Sequence, residues 1–248
     1  MTNSKNHSPY FEDYPDNFGV LLKGKSLELF PDYSECFDKC FIVSDYEYEL
    51  PLIGKYLYGK EIVHFTNRYH QSSLKRKTYK EYKIRHLQLG QSFRINHYRL
   101  MRTVIYHKII NRGLKIHLLP DVLNNFDKNL PDEYSLKFPN TGLLSIVYAL
   151  KIIQPKNLWI FGMDFYAKDY LAKQQDGYYS QSRSNPDKNI LFNSDERLSK
   201  QKHKSDRLDL DGLFCRLVAD HQNTKVKIGT YFDGLKSISN LERLNNEG

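Results

Sequence analysis

The chain has 248 residues, 40% of them hydrophobic, which suffices for the core of one large domain. No apolar run reaches the ~18 residues of a membrane-spanning helix, the polar N-terminus lacks the apolar stretch of a signal peptide, and three cysteines are too few for a disulfide scaffold, so a reducing cytoplasm is expected. The net charge of +8 is uneven: residues 68–115 hold 13 Lys/Arg against one acid, Glu81, a concentration that attracts anionic partners such as nucleic acid, a lipid surface or a nucleotide sugar.

Residues 1–16, rich in Asn, Ser, Pro and Asp, predict a loose arm. Phe18–Leu22 reads as a first strand running into Lys23-Gly24-Lys25-Ser26-Leu27. A strand that ends in a Gly/Ser turn can aim N–H groups at an anion, which makes Gly24 and Ser26 candidate binding residues. The turn is too short for a P-loop and has no G-x-G-x-x-G. Cys40–Val43 is the second strand, with Ser44 and Asp45 at its carboxyl end, and a helix is expected over Tyr46–Tyr58 with Pro51 in its first turn. Glu61–Phe65 is the third strand and exits through Thr66-Asn67-Arg68. Three successive strand ends therefore carry small polar residues, as a nucleotide crevice requires.

Ser72–Lys83 predicts a surface helix and Ile84–Leu89 a strand. Asn96–Asn111 predicts a helix, with Tyr98, Met101, Ile105 and Ile109 at helical spacing and Gly113 as its cap. A strand over Lys115–Leu119 closes at Pro120, and a short amphipathic helix follows over Val122–Leu130. The most informative stretch is Pro139–Tyr166. Thr141 and Gly142 stand where a helix begins, and its unsatisfied N–H groups and positive dipole end suit a phosphate or carboxylate. Leu143–Ile153 is apolar almost all round, so this helix should be buried on most sides until Pro155 ends it. Leu158–Phe161 is a continuous apolar run, the pattern of a strand covered on both faces. Gly162, Asp164 and Tyr166 follow at its carboxyl end, where open α/β sheets bind ligands. An ordinary α/β unit with a capped helix fits these residues equally well. Ala167–Lys202 is long, polar and better read as a lid than as an idle loop. A helix over Ser205–Asp220, a last strand over Lys225–Gly229 and a short helix from Lys236 complete the chain. The alternation of strands and helices predicts a parallel α/β sheet.

The PNTG turn, the apolar helix after it and WIFGMDFY (Trp159–Tyr166) resemble a conserved block of the bacterial lipooligosaccharide sialyltransferases of glycosyltransferase family 42. The P-x-T-G form is also similar to the small sialyl motif of the animal sialyltransferases. The likeness covers most of the chain loosely and two blocks well, 139–166 and 203–218. It implies one glycosyltransferase domain over residues 1–248. The fold it implies is a single Rossmann-like, mostly parallel sheet with helices on both faces and a lid over 167–202, inserted after the G-x-D-F-Y strand. The implied reaction is inverting transfer of sialic acid from CMP-sialic acid, or of a related nucleotide sugar, to a glycan hydroxyl.

Site roles follow from the same likeness. GKSLE resembles the second half of the family's G-x-G-P-S-L turn, with Lys23 and Lys25 in place of smaller or rigid residues. Ser44 stands where the family often has an Asn, and Asn67 matches an Asn that contacts the nucleotide sugar. Thr141 and Gly142 would hold the donor, and Asp164 would orient the turn or serve structure alone. Tyr166 matches a phosphate-binding tyrosine, with a second from the lid: Tyr170, or else Tyr178 or Tyr179. His203 matches the general base. Such a reaction needs a leaving phosphate stabilised by fixed hydrogen bonds and an acceptor hydroxyl deprotonated by a group with pKa near ~6.5. No metal or resident cofactor is implied: Asp209-x-Asp211 lies in an expected helix, where residues two apart point in different directions. Cys36-x3-Cys40 reads as structural. Peripheral membrane contact and homo-oligomer formation stay open. So do two other functions, a catalytically silent or different nucleotide-sugar-binding relative and a nucleic-acid binder using residues 68–115.

Overall fold

The computed structural model describes residues 10–44, 46–66, 74–89, 104–105, 113–118, 141–165, 171 and 210–244. Its strands are β1 (Asn17–Leu21), β2 (Lys39–Val43), β3 (Glu61–Thr66), β4 (His86–Leu89), β5 (Lys115–Leu118), β6 (Asn157–Phe161), β7 (Lys225–Gly229) and β8 (Leu241–Leu244). They form one sheet in the order β5-β4-β3-β2-β1-β6-β7-β8. Every described pairing is parallel, with Gly19 opposite Cys40 on one side and Trp159 on the other.

A period of two sends the strand side chains to two separate cores. Phe18, Val20, Phe41, Val63, Phe65, Leu158 and Ile160 point to one face. There they meet α3 (Thr141–Tyr148), its π-helical continuation Ala149–Ile153, and α4 (Leu210–Ala219). Leu21, Ile42, Ile62, Leu87, Trp159 and Phe161 point to the other face. A 3-10 run over Lys25–Cys36, α1 (Leu50–Ile53) and α2 (Arg76–Glu81) lie on that side. The connections from β1 to β2, β2 to β3 and β3 to β4 cross the second face, and the described segments that lead to β6, β7 and β8 cross the first. A single right-handed crossover rule produces that division. Gly19 is required by packing, since a Cβ there would stand 2.2 Å from the Phe37 ring.

Several elements differ from their sequence reading. The helix expected over Tyr46–Tyr58 is three short pieces, 3-10 at Tyr46–Tyr48, α1, and 3-10 at Gly54–Leu57. Pro51 sits in the first turn of α1, where its missing N–H costs nothing. The buried helix is α-helical only to Tyr148, and Gln154 ends the π-helical turns in a left-handed conformation with its N–H on Ala149 O at 2.8 Å. Lys225–Gly229 is not the last strand. The tail expected to be helical from Lys236 instead supplies β8, the sheet edge beside β7. Long-range ladder bonds outweigh local propensity there, and Asn240 anchors the strand by donating Nδ2 to Val218 O, His221 O and Thr224 O at 2.9–3.0 Å. The crossover from β7 to β8 has no helix; Leu235 and Ile238 pack on the first core in its place. Of the helix expected over Asn96–Asn111 only Val104 and Ile105 are described, both helical, and the helix expected over Val122–Leu130 lies outside the described residues. Among the described residues no helix is long and apolar enough to cross a membrane.

Candidate ligand site at the carboxyl edge of the sheet

The strand order reverses between β1 and β6. In open parallel sheets the chain leaves two such strands toward opposite faces, and ligands bind above their carboxyl ends. The residues at these two exits are Leu22–Ser26 and Gly162–Phe165. They are bonded together: Leu22 N–H donates to Phe161 O and Gly24 N–H to Gly162 O, both at 2.8 Å. The backbones approach so closely that a Cβ on Gly24 would lie 2.6 Å from Gly162 O and one on Gly162 2.7 Å from Leu22 O. Gly162 also has φ of +77°, which a side chain would strain.

Asp164 is the hub of this seam and is 4% exposed. Its Oδ2 accepts Ser26 N–H at 2.9 Å, and its Oδ1 accepts Tyr231 N–H at 3.0 Å and Thr230 Oγ1–H at 3.3 Å. The Gly/Ser turn thus does aim an N–H at an anion, and the anion is the chain's own carboxylate. Three strand exits, of β1, β6 and β7, meet on one side chain. The Ser26 hydroxyl is fully buried and has no hydrogen-bond partner among the described residues. Beside the seam, Tyr231 OH donates to Glu28 Oε1 at 2.6 Å and Lys25 Nζ pairs with Glu28 Oε2 at 2.6 Å. Burial works to raise the Glu28 carboxyl, but the bonds from Lys25 and Tyr231 outweigh it and hold its pKa below the ordinary value.

Ser44 stands at the exit of the next strand, β2, with φ of +67°. Its N–H donates to Phe65 O at 2.8 Å, and its carbonyl faces His64 Nε2 at 2.7 Å. A carbonyl can only accept, so Nε2 of this fully buried histidine carries the proton and Nδ1 accepts from Tyr79 OH at 2.7 Å. Tyr46 OH donates to Leu22 O at 3.0 Å and ties the exit of β2 to that of β1. Thr141 and Gly142 open α3. Because α3 leads through 149–156 into the amino end of β6, its first turn lies at the carboxyl edge too. Thr141 is 8% exposed, and no bond joins it to the β1–β6 seam among the described contacts.

Of the residues singled out from sequence, Gly24, Ser26 and Asp164 meet directly, while Ser44, Thr141 and Gly142 share their edge of the sheet. Asn67, Tyr166, Tyr170, Tyr178, Tyr179 and His203 lie outside the described residues. So does the 167–202 stretch except Leu171, whose N–H donates to Lys23 O of the β1 turn at 2.9 Å. Sequence reading missed Glu28, Thr230 and Tyr231. Thr230 and Tyr231 follow the KVKIG strand, and the position rule applied to the other strand ends would have found them. Among the described residues no group of three His, Cys, Asp or Glu side chains could hold a metal ion. Cys40 is fully buried, which pushes its thiol up to about 12 although Lys60 opposes the shift. No protein-family model, no curated protein and no solved structure matches this chain.

Proposed function

We propose that the chain is a CMP-sugar-dependent, inverting glycosyltransferase that moves sialic acid to a glycan hydroxyl. One observation carries the ligand-binding part of this reading: the β1–β6 switch point, with GKS at one strand exit and GMD at the other. In open parallel sheets that crevice is where nucleotides bind. The buried, unpartnered Ser26 hydroxyl and the first turn of α3 at the same edge support it. The sugar and the reaction rest on the likeness of residues 139–166 and 203–218 to the bacterial sialyltransferases.

On this reading Thr141 and Gly142 hold the nucleotide, and Ser26, Ser44 and Asn67 complete its cradle. Tyr166 and a lid tyrosine hydrogen-bond the leaving phosphate. His203 takes the proton of the acceptor hydroxyl as it attacks. Asp164 keeps the β1, β6 and β7 exits in register, so it acts on the donor through the shape of the crevice.

The test is release of free CMP from CMP-sialic acid by the native protein and by His203→Ala. Turnover by the native protein, reduced by about 10²–10⁴-fold in the variant, is the expected result. CMP that binds by calorimetry without any turnover would move the assignment to a silent relative or one with another donor sugar. Absence of CMP binding would remove the nucleotide reading altogether.

A further inference from the structure

At the opposite, amino-terminal edge of the sheet, a cavity of about 320 Å³ opens between α2 and the entries to β4 and β5. Tyr79, Ile84 and Leu114, all buried, line it together with Gly113. Four exposed cations complete the lining: Arg76 and Lys80 from α2, and Lys83 and Arg85 from the turn into β4. Among the described residues no acidic side chain lines the cavity.

These cations are not there to balance carboxylates. Among the described residues none of the four side chains forms an ion pair or side-chain hydrogen bond. The one nearby acid in sequence, Glu81, is engaged elsewhere and accepts Tyr58 OH at 2.7 Å. Four like charges around one concavity repel each other; water and salt screen part of that repulsion, and a bound multivalent anion would relieve it further. Burial is the main reason that the nearby His86 stays neutral, with His117, Lys115 and the cavity's own Arg85 adding to it in that order. The volume is that of a small-molecule site, and the buried Tyr79–Ile84–Leu114 floor offers an apolar surface beneath the charges.

We infer that this cavity is a second binding site, separate from the carboxyl-edge crevice, for a small group carrying several phosphate charges. Arg76 and Arg85 can each grip a phosphate through two N–H bonds, while Lys80 and Lys83 neutralise charge as point cations. An extended nucleic-acid backbone would need a groove, whereas these four residues line one pocket. The same chemistry is met in a free oligophosphate and in a phosphorylated lipid headgroup.

The experiment is calorimetric titration of the full chain with inorganic tripolyphosphate, at low and at roughly physiological salt. The native protein should bind, more weakly at the higher salt. Lys80→Ala/Lys83→Ala should weaken binding about tenfold or more, the scale of losing two charge-assisted contacts. Lys75→Ala/Lys77→Ala removes the same charge from the start of α2, outside the cavity, and should change it little. Co-sedimentation with phosphatidylcholine vesicles, plain or containing phosphatidylinositol bisphosphate, separates the two sources. Capture by the phosphorylated vesicles that depends on Lys80 and Lys83 assigns the headgroup; tripolyphosphate binding without it assigns a free ligand. No tripolyphosphate binding at low salt, equal losses in the two double variants, or a single-stranded oligonucleotide that binds more tightly than tripolyphosphate and loses that affinity in Lys80→Ala/Lys83→Ala would each overturn the inference.

Discussion

Asp164 shows how much one side chain organises at the carboxyl edge. Its two oxygens accept backbone N–H groups from different segments, Ser26 and Tyr231. An asparagine has one acceptor oxygen and one donor nitrogen, so in either orientation it would point an N–H at a backbone N–H. Asp164→Asn should therefore lower stability by about 1–3 kcal/mol, the cost of a buried unsatisfied donor. Thermal unfolding measures it, and an unchanged midpoint would mean that the seam holds without the carboxylate. Ser44 illustrates the opposite case, a residue held where its own preferences oppose it. Its left-handed backbone costs roughly 1–2 kcal/mol. The His64–Tyr79 chain of hydrogen bonds keeps it there.

Adjacent strands β4 and β5 carry a polar pair inside a mostly apolar sheet. His86 and His117 stack at 5.1 Å with Nδ1 of the first 2.9 Å from Nε2 of the second. The Tyr10 ring stands edge-on to both, and Tyr10 OH donates to Gln88. That bond between rings needs one lone pair, so both histidines cannot be protonated at once. Burial pushes His86 down to about 4, and His117, Lys115 and Arg85 add to the shift; burial and then Lys115 lower His117 as well. The folded chain thus keeps His86 neutral at a pH where the unfolded chain would charge it. The stabilisation is complete above the unfolded value of about 6.5 and is lost as pH falls toward about 4. Urea unfolding at about pH 7 and about pH 5 should show a drop in stability for the native chain that is smaller for His86→Gln. Equal drops would show that the pair does not drive it.

For the whole molecule, the β1–β6 boundary is where two half-sheets join, β1–β5 and β6–β8. It is both the centre of the fold and the edge of the proposed ligand crevice. Gly162 lies on that join, with φ of +77° and no room for a Cβ. Gly162→Ala should cost at least about 1–3 kcal/mol through strain and forced separation of the two exits. Because the Leu22–Ser26 turn would move with it, CMP affinity should fall together with the thermal midpoint. Calorimetry and melting on the same preparation test this, and a variant that melts lower yet binds CMP as the native protein does would separate the crevice from the seam.

Local pattern determined the core of this protein. The short apolar runs FGVL, CFIV and LWIF, and the longer one of Leu143–Ile153, are read directly from the residues, because burial selects side chains one position at a time. The sheet class and most strand positions follow from that, as does the interest of Gly24, Ser26 and Asp164, which stand at strand ends. Tertiary structure alone decided which strand ends meet. Nothing local in GKSLE and GMD says that Ser26 N–H closes on Asp164, or that Tyr231 joins them, because those partners are 138 and 67 residues away. The same holds for β8, whose residues form a strand only because β7 offers an edge, and for the four cations that α2 and the β4 turn bring around one cavity. Apolar runs record burial, a property of each residue alone; pairing across the chain is recorded in no single stretch and is settled when the sheet assembles.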